Sequence, residues 1–89
     1  MKVYKVQNES YIKGIGTMID DLNISKSLFE SKDDAREAME KEGLNTEKYY
    51  KKSFGSDNYK VSVSDSFYHI ATNDGAYWDN FDIVEQELK

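Results

Sequence analysis

The residues best equipped for chemistry lie in one short stretch, Asp74-Gly75-Ala76-Tyr77-Trp78-Asp79-Asn80-Phe81-Asp82. Large aromatics mix there with carboxylates directly after a turn. Tyrosine and tryptophan dominate the energetics of protein interfaces because one side chain fills a large desolvated pocket. Neighbouring carboxylates attract a basic partner and orient its approach. Tyr77, Trp78, Asp79 and Asp82 are therefore the candidate partner-binding residues, with Asp20 and Asp21 as a second acidic patch. The competing assignment puts Trp78 and Phe81 inside, because a chain of 89 residues needs its largest apolar groups for a core.

Other constellations carry less. His69 is the only histidine, and it stands between Tyr68 and Ile70 in a strand-like run. A histidine base needs a nucleophile and an orienting acid beside it, and neither is marked in the sequence. Gly14-Ile15-Gly16 lacks the third glycine and the following helix start of a dinucleotide loop, so it reads as a bulge or turn. The pairs Asp20-Asp21 and Asp33-Asp34 fall outside any calcium-loop spacing and read as solvated turn and helix-start residues. Lys48-Tyr49-Tyr50-Lys51-Lys52 interleaves bases and aromatics as single-strand binders do, but dipole-matched lysines at a helix end explain it better. No metal set, cofactor loop or nucleophile–base pair is visible. The expectation is a protein that is not an enzyme and uses no cofactor.

Composition narrows the partner. Seventeen acidic residues against twelve basic ones leave a net charge of -5. That balance repels nucleic-acid backbones and anionic membranes and steers the chain toward basic surfaces. The absence of cysteine excludes disulfides and thiolate chemistry. A secreted domain of this size is usually stapled, so a reducing, cytoplasmic setting is expected. No apolar run approaches the length of a membrane-spanning helix, about 20 residues.

The elements that must hold these residues read as a single α+β domain over 1–89. Residues 2–7 form a strand, 8–10 a turn and 11–19 a returning strand, with a short third strand over 24–29. Ser31 caps a helix over about 31–42: Asp33 and Asp34 lie in its first turn, Ala35, Ala38 and Met39 form an apolar stripe, and Gly43 ends it with Leu44 folded back on Met39. Residues 45–54 suggest a second short helix capped by Asn45. Strands follow at 59–63 and 67–72, with turns at Gly55–Asn58 and Asn73-Asp74-Gly75. Trp78, Phe81, Val84 and Leu88 have helical spacing, which slightly favours a C-terminal helix over a terminal edge strand. The expected architecture is an antiparallel sheet of about four strands with the capped helix on one face.

The run Phe29-Glu30-Ser31-Lys32-Asp33-Asp34-Ala35-Arg36-Glu37-Ala38, behind an N-terminal Lys-Val-Tyr strand, resembles short proteins encoded by phages and mobile elements. A composition rich in Lys, Asn, Ser and Asp is similar to theirs. The resemblance implies a protein that disarms a host defence, as anti-CRISPR proteins do by occupying a nucleic-acid-binding surface; it assigns no site residue. The leading expectation is thus an acidic module that binds a basic host protein, without binding nucleic acid itself. The alternative is a protein that sequesters a small molecule or nucleotide. Its pocket could be completed in a homodimer, with Lys48, Lys51 and Lys52 meeting a phosphate.

Overall fold

The computed structural model describes residues 1–21 and 28–88. It is an α+β fold: one antiparallel sheet and one long helix packed on it. The strands are β1 (Lys2–Ile12), β2 (Gly16–Asp21), β3 (Tyr59–Val63), β4 (Phe67–Thr72) and β5 (Tyr77–Glu87). Their spatial order is β2-β1-β5-β4-β3. The sheet therefore has five strands rather than about four.

The N-terminal hairpin forms, but its turn is not at Asn8-Glu9-Ser10. β1 runs straight through those residues. The chain reverses beyond Ile12, where Gly14 and Gly16 adopt φ of 89° and 109°. Only glycine occupies that left-handed region without a Cβ penalty, so these two glycines place the turn. Asn8 stays in the strand because its amide donates across to the Asn80 carbonyl at 3.2 Å rather than to its own backbone. Of the expected strand at 24–29, residues 22–27 lie outside the described part. Phe29 makes an isolated antiparallel bridge with Tyr4, with N–H···O distances of 2.7 and 2.8 Å.

Helix α1 spans Lys32–Phe54 as one element, where two short helices are expected from the sequence. Its start is as anticipated: the Ser31 hydroxyl accepts from the Asp33 and Asp34 amides at 3.2 and 3.4 Å. Gly43 does not end it. Ala35, Met39, Gly43 and Tyr50 are buried along one stripe that continues past the glycine. A Cβ on Gly43 would stand 2.5 Å from the Tyr68 ring, so the missing side chain lets the helix press onto β4. Leu44 is 54% exposed and does not fold back on Met39. Asn45 caps nothing. The following residue, Thr46, donates its hydroxyl to the Glu42 carbonyl at 2.9 Å, four residues back within the continuous helix. The true end is Gly55, with φ of 91° and its N–H on the Lys51 carbonyl. At 23 residues the helix is about 35 Å long. The 11-residue strands β1 and β5 reach about 37 Å, so one helix covers the sheet lengthwise.

The C-terminal segment is a strand, neither helix nor edge. β5 lies in the middle of the sheet, bonded to β1 on one side and β4 on the other. In a strand the three-residue spacing of Trp78 and Phe81 sends them to opposite faces. The core gathers Val6, Met39, Tyr50, Tyr68, Ile70 and Phe81 between α1 and the sheet. No helix among the described residues is long and apolar enough to cross a membrane.

Candidate functional site

Strand alternation divides the aromatic–acidic segment between two faces. Tyr77, Asp79 and Phe81 share the face under α1, and Trp78, Asn80 and Asp82 share the other. Phe81 is core: it is 3% exposed and meets the Tyr68 ring edge-on at 6.4 Å.

On the face away from the helix, Trp78 sits opposite Tyr11 of β1 and Ala71 of β4. The Tyr11 and Trp78 rings stack with centroids 5.7 Å apart and planes 11° from parallel. The His69 ring lies 5.6 Å from Trp78 on the other side. A half-buried aromatic row thus crosses three adjacent strands. A polar chain runs beside it: His69 Nδ1 meets Asn80 Oδ1 at 3.1 Å, and Asn80 Nδ2 donates to Asp82 Oδ2 at 2.7 Å. Because the Asn80 amino group serves Asp82, its carbonyl must face His69. Nδ1 then carries the proton in that bond. His69 is therefore an orienting neighbour of Trp78, and no hydroxyl nucleophile bonds it among the described residues. Glu9 stands opposite Asn80 and adds a second carboxylate to this face. Val3, at the start of β1, is the fully buried residue of the face; the others named here are half-buried.

On the helix side, Tyr77 and Asp79 line a cleft of about 420 Å³ with Tyr49, Tyr50, Ser53 and Phe54 of α1. The rings follow one another in contact. Tyr49 meets Tyr50 edge-on at 6.4 Å, Tyr50 tilts against Phe54 at 5.4 Å, and Phe54 lies 5.2 Å from Tyr77. The Tyr50 hydroxyl donates to Asp79 Oδ2 at 2.8 Å, and Asn8 reaches Oδ1 at 3.4 Å. Burial first, and the Asp79 bond second, hold the Tyr50 phenol protonated far above the ordinary range. Among the described residues no lysine or arginine forms an ion pair with Asp79.

The opposite flank of α1 has a different character. A cleft of about 600 Å³ opens between the helix and β3, with Lys48 and Lys51 among its walls and Tyr59 and Val61 on the strand side. Glu47 in this cleft accepts from the Tyr59 hydroxyl at 3.1 Å and the Tyr68 hydroxyl at 3.3 Å. Burial, then the Glu47 charge, pushes Tyr68 up to about 12. Lys52 is not part of this wall and lies in the last helical turn, where it complements the dipole.

The remaining candidates have structural places. Gly14 and Gly16 form the hairpin turn. Asp33 and Asp34 lie in the first turn of α1 and donate their backbone amides to the Ser31 cap. Asp20 and Asp21 end β2, in register with Asn8 and Gln7, and their side chains lie outside the described part. Among the described residues no group of three or more His, Asp or Glu is placed to hold a metal. Tyr11 escaped the sequence reading because its stacking partner is 67 positions away (78 − 11) and only the β1–β5 register joins them. Tyr49 and Tyr50 were noticed for their lysine neighbours; nothing local links them to Asp79. A scan against protein-family models and searches of curated proteins and of solved structures return no match to the chain.

Proposed function

We propose that the protein is an acidic protein-binding module whose helix-free sheet face engages a basic surface of a partner. The observation that carries this reading is the Tyr11–Trp78–His69 row, a partly exposed aromatic strip on a face that no described element packs across. Trp78 is the anchor, and Asp82 and Glu9 are the carboxylates beside it. A flat stacked strip is pre-ordered, so little side-chain entropy is lost when a partner covers it. The net charge of -5 favours a basic partner over nucleic acid. With the resemblance to phage and mobile-element proteins, the partner class is a host nucleic-acid-processing or defence enzyme, inhibited by occupation of its basic channel.

The test is a comparison of variants in affinity capture at low and high salt, with bound proteins identified by mass spectrometry. A basic partner should be captured by the native chain and by Tyr49→Ala but lost with Trp78→Ala. Its capture should weaken at high salt. Equal capture by Trp78→Ala would remove the open face from the interface. Trp78 is the only tryptophan, so its fluorescence should also change on mixing with the purified partner.

A second reading, a small-molecule or nucleotide binder, is favoured by Lys48 and Lys51 on the wall of the 600 Å³ cleft. A ligand bound only by the folded state must raise its melting temperature. A thermal-shift screen of nucleotides therefore checks it, with loss of the shift in Lys48→Ala as the expected signature.

A further inference from the structure

The helix-side cleft holds an arrangement that the open face lacks. Four aromatic rings, Tyr49, Tyr50, Phe54 and Tyr77, follow one another along it, and a carboxylate, Asp79, stands among them. Ring faces carry negative quadrupole potential and attract cations, most strongly when the cation sheds its water. The carboxylate adds a full charge. Nothing inside the described protein neutralises it: its two bonds come from a phenol and an amide.

We propose that this cleft is a binding site for a methylated ammonium group. Each Asp79 oxygen accepts one bond, Oδ2 from the Tyr50 hydroxyl at 2.8 Å and Oδ1 from Asn8 at 3.4 Å, and keeps a further lone pair, so the carboxylate presents its charge to a cation in the cleft. The rings select among cations, because a weakly hydrated one sheds its water most easily against them. A methylated ammonium needs no directed hydrogen bond. It needs a negative field and apolar walls for its methyl groups, which Tyr49, Phe54 and Tyr77 supply, with the buried Tyr50 behind them. The Tyr50 phenol is held protonated and cannot compete as an anion; it donates to Asp79 instead. At 420 Å³ the space exceeds one such head group and leaves room for the chain that carries it. That chain could belong to a free choline-like molecule or to a methylated lysine of a peptide; the head-group chemistry is shared. Asp79 and the rings of α1 lie on the other side of the sheet from Trp78; Tyr11 of β1 borders both this cleft and the open-face row, so the variants used to test the two readings leave Tyr11 unchanged.

The test uses the full chain labelled with ¹⁵N and titrated at constant chloride with choline, with a short peptide bearing trimethyllysine, and with 3,3-dimethylbutan-1-ol, the neutral isostere of choline. Saturable amide shifts are expected at Ser53, Tyr77 and Asp79, with a Kd on the order of 1 mM for choline. The neutral isostere should bind about tenfold more weakly, and Asp79→Asn should weaken choline by about tenfold. The tighter of the two cationic probes identifies the carrier as free or peptide-borne. Equal binding of choline and the neutral alcohol, unchanged affinity in Asp79→Asn, or no saturable shift with either cation overturns the proposal. Where Asp79→Asn disturbs the spectrum as a whole, Tyr49→Ala carries the comparison, because that ring is 65% exposed and outside the core; unchanged choline affinity in it is equally fatal.

Discussion

Trp78 and Phe81 are three residues apart in one strand and do opposite work. Phe81 is sealed between the sheet and α1 at 3% exposure, among Val6, Met39, Tyr68 and Ile70. Trp78 lies on the other face, flanked by Tyr11 and His69. One face converts apolar area into stability. The other holds apolar area that folding leaves partly in water. The lesson is that an aromatic-rich segment in a central strand is divided between two environments, one residue at a time.

The comparison is tested hardest by truncating each ring. Phe81→Ala should cost about 3–5 kcal/mol in urea denaturation, the range for a buried phenylalanine. Trp78→Ala should cost about 1–2 kcal/mol, mainly the lost stack and partial burial. Equal losses would erase the distinction between the faces. Next in size is Gly43→Ala. In an open helix this change gains about 1 kcal/mol. Here the new Cβ would meet the root of the Tyr68 ring at 2.5 Å, so a loss of about 1–3 kcal/mol is expected from overpacking. A gain would mean that the helix does not press on β4 as described.

The covered face should also respond to alkali. Tyr68 has its pKa raised from 10.0 to about 12, so the folded state holds the proton more tightly than the unfolded chain does. That contribution is fully present below pH 10 and is lost as pH rises through about 12. Stability measured by denaturant titration should fall across this window, and Tyr68→Phe should flatten the fall. The smallest effect is at the β4–β5 turn. Hydrogen bonds from the Ala76 amide and the Thr72 hydroxyl hold Asp74 below its ordinary 3.8. Its turn should stay ordered until the pH drops beneath that value, then loosen as the carboxylate is protonated. The Ala76 amide shift followed by NMR reads this directly; a midpoint at or above 3.8 would show those bonds to be absent in solution.

Much of the fold was legible where local chemistry decides. Ser31 with Asp33 and Asp34 marked the helix start, and the alternation at 59–63 and 67–72 marked β3 and β4. Asn73-Asp74-Gly75 marked the last turn, where Gly75 has φ of 74°. The failures share one cause. Gly43 looks like a helix end because a lone glycine is one by propensity; packing against Tyr68 overrides that. Residues 78–88 look helical because Trp78, Phe81, Val84 and Leu88 were assumed to share one buried face. In the sheet they do not have to, since α1 covers one face and alternate residues of the strand point to the other.

By itself, then, the sequence determined the α+β class, the acidic charge, the helix cap and the turns at 55–58 and 73–75. Each depends on residues within a few positions of one another, or on a sum over the chain. Only the tertiary structure decided that β5 is central, that Tyr11 stacks on Trp78, and that Asp79 stands among rings of α1. Those pairings join residues separated by 67 positions in one case (78 − 11) and 29 in the other. Strand register and helix placement set them, because both depend on burying Val6, Met39, Ile70 and Phe81 together in one core.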